Sequence, residues 1–189
     1  RLFGELVSVP EIKTICLSHL FRRSAASTIN STAHMINSGT VPPIPEPDGS
    51  TKVDAYFVPR SDPPEAAAVV ENLVAEQLPV KFGFKPGEIT VLTPSNRGPL
   101  GTIELNKRLQ ARINPPQGDD FVGGLKVGEQ YFRRGDRVCQ RVNNYNIHDA
   151  GVFNGDVGEV YSLDQQAREL VVELWDGRLV KYEQSDLSQ

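Results

Sequence analysis

ITVLTPSNRGPLGTIELNKRLQARINP, residues 89–115, changes periodicity twice, and those changes decide how the chain is read. The apolar run Ile89, Val91 and Leu92 stops at Thr93 and Pro94. A polar loop with Gly98 and Gly101 follows, and then Leu105, Leu109 and Ile113 recur at the spacing of one helix face. The stretch therefore reads as strand, loop and helix. That order brings free helix N–H groups and polar side chains to the carboxyl end of a strand, where open α/β sheets bind ligands. Residues 93–102 are the first site the sequence offers.

Working outward, the upstream chain repeats the alternation. LFGELV (2–7) reads as the end of a helix stopped near Pro10, TICLS (14–18) as a short buried strand, and the next segment as a helix. In that helix Ala25, Ile29, Ala33 and Ile36 share a face, Ser24 can cap the start, and Gly39 stands where a left-handed C-terminal cap belongs. Pro42, Pro43, Pro45 and Pro47 make the following interval a loop. VDAYFVP (53–59) predicts a second strand. Asp62-Pro63-Pro64-Glu65 then opens a helix with Ala67, Val70, Leu73, Val74 and Leu78 inward, ending before Pro79. Alternating strands and helices predict a parallel sheet covered by helices. Three strands are few for such a sheet, which implies a domain completed elsewhere.

Downstream of Asn114-Pro115-Pro116 the pattern changes to short strands, RVCQRV, VGEVYSL, ELVVELW and RLVKY, with a hairpin signal at Asp176-Gly177 and a looser turn from Asp164 to Arg168. These predict a small β-barrel filled by Val171, Leu174, Leu179 and Val180. The domains divide as 1–128, α/β, and 129–189, all-β.

At 189 residues and 39% hydrophobic content, the chain suits a globular core. No apolar run approaches the roughly 20 residues of a membrane span. Cys16 and Cys139 are far apart in strand-like contexts, which predicts buried free thiols and a cytoplasmic location. Arg1 is not a natural start, so the chain reads as cut from something longer. The formal net charge is −4, yet residues 97–145 carry 9 basic and 5 acidic side chains. A local basic zone fits a nucleic-acid track, and equally an ordinary solvated face.

Five segments in order carry a resemblance: LSHLFRRSAASTI (17–29), AHMINSG (33–39), VLTPSNRGPLGTIELNKRLQARINP (91–115), FRRGDRVCQRVNNYN (132–146) and VFNGDVGEV (152–160). Together they resemble the C-terminal half of RecD/TraA-type superfamily 1 DNA helicases. The resemblance implies a partial RecA-like second motor domain, with its parallel sheet and helices, interrupted by an inserted Src-homology-3-like barrel. It also implies ATP and Mg²⁺ as cofactors of the full-length enzyme. The chain has no G-x-x-x-x-G-K-[ST] and no Asp-Glu pair of the Walker B kind, so no ATP turnover, bound cofactor or metal is expected of this segment by itself.

The resemblance places Phe21 beside the adenine and gives Arg22 the role of an arginine finger on the γ-phosphate. The alternative is a core phenylalanine and a surface ion-pair arginine. In the loop, Thr93, Ser95, Asn96, Arg97 and Thr102 offer donors to a single-strand backbone, and Gly98 and Gly101 allow close approach. The alternative is a shaped helix entry with Asn106 and Gln110 facing solvent. In the barrel, Asn143, Asn144 and Tyr145 end a basic stretch of the kind that tracks phosphates and stacks bases, while Asp136 and Asp156 read as turn formers. The implied partners are single-stranded DNA, the N-terminal RecA-like domain of the same chain, and subunits of a recombination or repair complex. A non-catalytic accessory subunit of a recombination nuclease is the second reading.

Overall fold

A computed structural model of the chain describes residues 2–15, 27–50, 53–116 and 124–187. The chain divides into two compact units, Arg1–Pro59 and Arg60–Gln189. The helices after Pro59 cluster with the β-strands in the second of these units.

The first unit contains helix α1 (Leu2–Val7) and helix α2 (Thr28–Asn37). A carboxylate distant in sequence caps α2. Asp54 accepts the Thr28 N–H at 3.1 Å and the hydroxyls of Ser27 and Thr28. Those hydroxyl bonds hold the Asp54 carboxyl down at about 2. Gly39 is left-handed (φ 80°) and donates to Ile36 O at 3.0 Å, as its position after the helix predicts. The expected cap Ser24 and most of TICLS lie outside the described residues.

The expected strand 53–59 does not form. It bonds to the proline-rich segment through the Phe57 N–H, which donates to Pro45 O at 2.9 Å. Four prolines in that segment lack the N–H a ladder requires.

In the second unit, helix α3 (Pro63–Asn72) is capped as expected, with Asp62 accepting the Glu65 N–H at 3.1 Å. The Glu65 carboxylate does not return to the cap; it pairs with Arg60 at 3.2 Å. The helix also does not end before Pro79. It passes through a π-helical turn, Leu73–Gln77, into helix α4 (Leu78–Phe82). The wider turn bonds the Leu78 N–H to Leu73 O. Proline, lacking an N–H, is accommodated at the next position. Ala67 and Val74 are the buried residues of this helical run.

Segment 89–93 joins no sheet among the described residues, although Ile89 itself is extended at φ −97°, ψ 129°. Extended backbone becomes a strand only when a second strand's backbone bonds it, and no described strand does so; the bond to Ile89 O comes from the Arg137 side chain. Helix α5 (Thr102–Ile113) follows, buries Leu105, and joins α3 and the π-turn through Arg112, which reaches Glu71 at 3.3 Å and Glu76 at 2.9 Å. The expected parallel sheet is therefore not among the described residues.

The β elements form as predicted in kind. A hairpin of β1 (Leu125–Val127) and β2 (Gln130–Phe132) precedes an antiparallel meander of β3 (Arg137–Cys139), β4 (Val157–Asp164), β5 (Glu169–Leu174) and β6 (Leu179–Tyr182). Gly177 is left-handed in the Asp176-Gly177 turn. The core comprises Leu125, Val152, Leu170, Val172, Leu174, Val180 and Tyr182.

Leu174 and Val180 fill the core as expected, but Val171 and Leu179 do not: Val171 is only half-buried and Leu179 is exposed. Pairing of Val172 with Val180 puts 170, 172 and 174 on the inner face, and Leu179, opposite Glu173, on the outer one. The same alternation turns Cys139 outward, contrary to its expected burial, because Val138 is the β3 residue packed on the core. Cys16 lies outside the described residues. None of the helices among the described residues is long and apolar enough to cross a membrane.

Candidate nucleic-acid interface

The loop between segment 89–93 and α5 is built on its own hydrogen bonds. Thr93 Oγ1 donates to Leu100 O at 2.6 Å, Ser95 Oγ to Arg97 O at 2.6 Å, and Thr102 Oγ1 to Asn96 Oδ1 at 3.1 Å. Backbone bonds complete the closure: Gly101 N–H to Gly98 O, Thr102 N–H to Ser95 O, and Ile103 N–H to Asn96 O. Gly101 is buried, and a Cβ there would lie 2.6 Å from the backbone N, C and O of Arg97. Its missing side chain therefore serves the loop's approach to itself, whereas Gly98 (φ 86°) faces open space.

The hydroxyls expected to point at a ligand are thus engaged as donors inside the loop. The Asn96 amide and the Arg97 guanidinium remain on the exposed residues. Arg97 has no ion pair among the described residues. With Gly98, Pro99, Pro64 and Ile103 it lines a shallow cleft of about 470 Å³, whose other wall carries Glu104, Arg108 and Glu129.

The basic zone is unevenly neutralised. Arg108 and Arg112 are tied to carboxylates on α5, α3 and the π-turn. Arg97, Lys107, Arg134 and Arg141 are exposed and without ion pairs among the described residues. The basic excess of residues 97–145 is therefore carried in part by side chains open to solvent.

On the barrel, Asn144 forms an isolated bridge with Val152 and spends its side chain locally. Its Oδ1 accepts the Asn146 N–H at 3.1 Å and its Nδ2 reaches Asp186 at 3.4 Å. Asn143 Oδ1 accepts the Asn154 N–H at 2.8 Å, and its Nδ2 donates to the Tyr145 hydroxyl at 3.3 Å. Tyr145 is 67% exposed and meets Phe153 edge-on at 5.7 Å. Of these three, the tyrosine ring is the group that presents free surface. The loop 93–102 and residues 143–145 belong to the same compact unit.

Asp136 and Asp156 hold turns, as their sequence contexts suggest. Asp156 accepts the Phe153 N–H at 2.9 Å and lies 3.6 Å from Arg178. Arg178 itself staples Asp176 and Gly151 O, a role the sequence did not signal. Gln110 is not solvent-facing. It donates to Tyr131 O at 2.7 Å and to Asp136. Phe21 and Arg22 lie outside the described residues. Among the described residues no group of three or more His, Cys, Asp or Glu side chains could hold a metal ion.

Comparison with known proteins shows what this geometry is similar to. Residues 105–174, from α5 to the end of β5, match the ATP-dependent RecD-like DNA helicase SH3 domain. Over 174 residues the chain is 33% identical to the ATP-dependent RecD2 DNA helicase of Deinococcus radiodurans, a match covering 92% of this chain and 21% of that protein. The chain therefore spans about a fifth of the length of the curated relative it matches. The match includes the α5–barrel junction as well as the barrel, and the two similarities together support reading the chain as a RecD-type helicase fragment.

Proposed function

We propose that this segment supplies a single-stranded DNA track and an arginine finger to an ATP-dependent DNA helicase moving 5′ to 3′. The observation that carries the reading is Arg97, an exposed guanidinium without an ion pair among the described residues, on a self-bonded loop at the entrance to α5, in a chain similar to a helicase over 92% of its length. A loop closed by its own hydroxyls is ordered before the ligand arrives, so little conformational entropy remains to be lost on binding. Backbone phosphates are the ligand such a donor fits, since a translocating protein must hold the strand without reading its bases.

Lys107, Arg134 and Arg141 extend the positive surface, and Tyr145 supplies a ring for stacking. Phe21 and Arg22 take the nucleotide side. Phe21 lies against the base, and Arg22 brings permanent charge to the phosphoryl oxygens that gain charge during transfer. ATP and Mg²⁺ are held chiefly by the N-terminal RecA-like domain of the whole protein, which is the segment's principal partner. DNA repair or recombination is the setting this assembly suits.

Fluorescence anisotropy with labelled single-stranded DNA and the full-length protein tests the track. Affinity falls as salt rises, and Arg97→Ala weakens binding while lowering the slope of log K against log [salt] by about 0.7, the share of one single-strand phosphate contact. A slope unchanged by Arg97→Ala contradicts the assignment.

A further inference from the structure

The barrel is bonded to both flanks of the loop 93–102 without touching the loop's own closure. On the leading side, an Arg137 Nη donates to Ile89 O at 3.2 Å. The same guanidinium is stacked over the Trp175 ring, 4.9 Å from its centroid, which anchors it to the end of β5. On the trailing side, the last turns of α5 are fastened to the β2–β3 turn. Gln110 donates to Tyr131 O and to Asp136. Asn114 Nδ2 donates to Arg134 O at 2.9 Å and Asp136 Oδ1 at 2.8 Å, and an Arg133 Nη returns a bond to Asn114 O at 3.0 Å. Asp136 also accepts the Arg133 N–H at 2.7 Å, so one carboxylate serves both the barrel's turn and the helix.

An apolar contact tolerates rotation; a set of directional hydrogen bonds fixes the angle between the parts it joins, and those of Gln110 and Asn114 to Asp136 and of Arg133 to Asn114 are part-buried. The helix of 12 residues is about 18 Å long, so a small rotation at its Gln110 end becomes a displacement at its Gly101 end. We infer that Gln110, Asn114, Asp136 and Arg137 are positioning residues through which the barrel sets the attitude of the loop, so that moving the barrel moves Asn96 and Arg97. The inference rests on the reading that this loop meets DNA. It adds a function for the barrel beyond contact with the strand, as a lever on the loop.

The test uses the full-length protein carrying the double substitution Gln110→Ala with Asn114→Ala, or separately Arg137→Met. Both leave the barrel core and the Asp136–Arg133 turn intact. Hydrogen exchange at the amides of Gly101, Thr102 and Ile103 reports the loop, and at Val172 and Val180 the barrel. The expected result is loop exchange accelerated about tenfold with barrel exchange unchanged, and single-stranded DNA bound about fivefold more weakly. Unchanged loop exchange overturns the inference. So does a normal DNA affinity in these variants when Arg97→Ala has lost affinity. Faster loop exchange with DNA affinity unaltered in all three variants, Arg97→Ala included, upholds the barrel's hold on the loop and removes DNA from its role.

Discussion

Gly101 shows how the structure can supply a reason for a glycine that the sequence does not contain. The sequence marks it as a place where a ligand's backbone comes close; the structure fills that space with the backbone of Arg97 at 2.6 Å from a Cβ position. Gly101→Ala is therefore expected to cost about 1–3 kcal/mol in a urea melt, since the clash is with main chain and no side chain can turn aside. A loss below a few tenths would show that the loop closes differently. Thr93, Ser95 and Thr102 teach the same lesson. Sequence supplies an inventory of donors, and only geometry tells which are already committed. Gln110 errs in the opposite direction, a polar helix residue that reads as solvent-facing because its acceptors, Tyr131 O and Asp136, lie 21 and 26 residues away.

At the scale of elements, the barrel was legible because its signals are local. The Asp-Gly turn, the even spacing of short strands and the alternation of apolar residues each lie within a few positions. The inner face of β5 was less legible, for Leu170, Val171 and Val172 are all apolar, and only pairing with β6 decides between them. The strands expected at 53–59 and 89–93 failed for a nonlocal reason, since each needs a partner that its own sequence does not specify. Pro79 was misread because the π-turn that accommodates it has no simple sequence signature.

One element carries a pH prediction. Tyr182 on β6 is buried, donates to Gln140 Oε1 at 2.9 Å, and has its hydroxyl pushed up to about 12, first by burial and then by the charges of Asp156 and Asp186. Between the ordinary tyrosine value of about 10 and that value, the unfolded chain has released a proton which the folded barrel retains. Stability from this group is thus fully present below pH 10 and declines as pH rises toward 12. Denaturant melts from pH 9 to 12 are expected to show the decline in the wild type and a flatter profile in Tyr182→Phe. Equal slopes would place the tyrosine outside the transition.

For the whole molecule, five ordered motifs made the family legible, and the RecD-like SH3 domain match over 105–174 with 33% identity to a RecD2 helicase bears the resemblance out. The RecA-like sheet was not recovered among the described residues, and Phe21 and Arg22, the pair expected to face the nucleotide, lie outside them. On the proposed reading, function at this scale depends on joining the two halves of a motor: phosphate charge neutralised by an arginine on one side, a strand held by a preformed loop on the other. The most direct measurement is ATP hydrolysis by the full-length protein with and without single-stranded DNA, in the wild type and in Arg22→Ala. The account predicts hydrolysis stimulated by single strands in the wild type and reduced about a thousandfold or more in Arg22→Ala, with DNA binding retained. Hydrolysis indifferent to DNA, or normal turnover in Arg22→Ala, would contradict it.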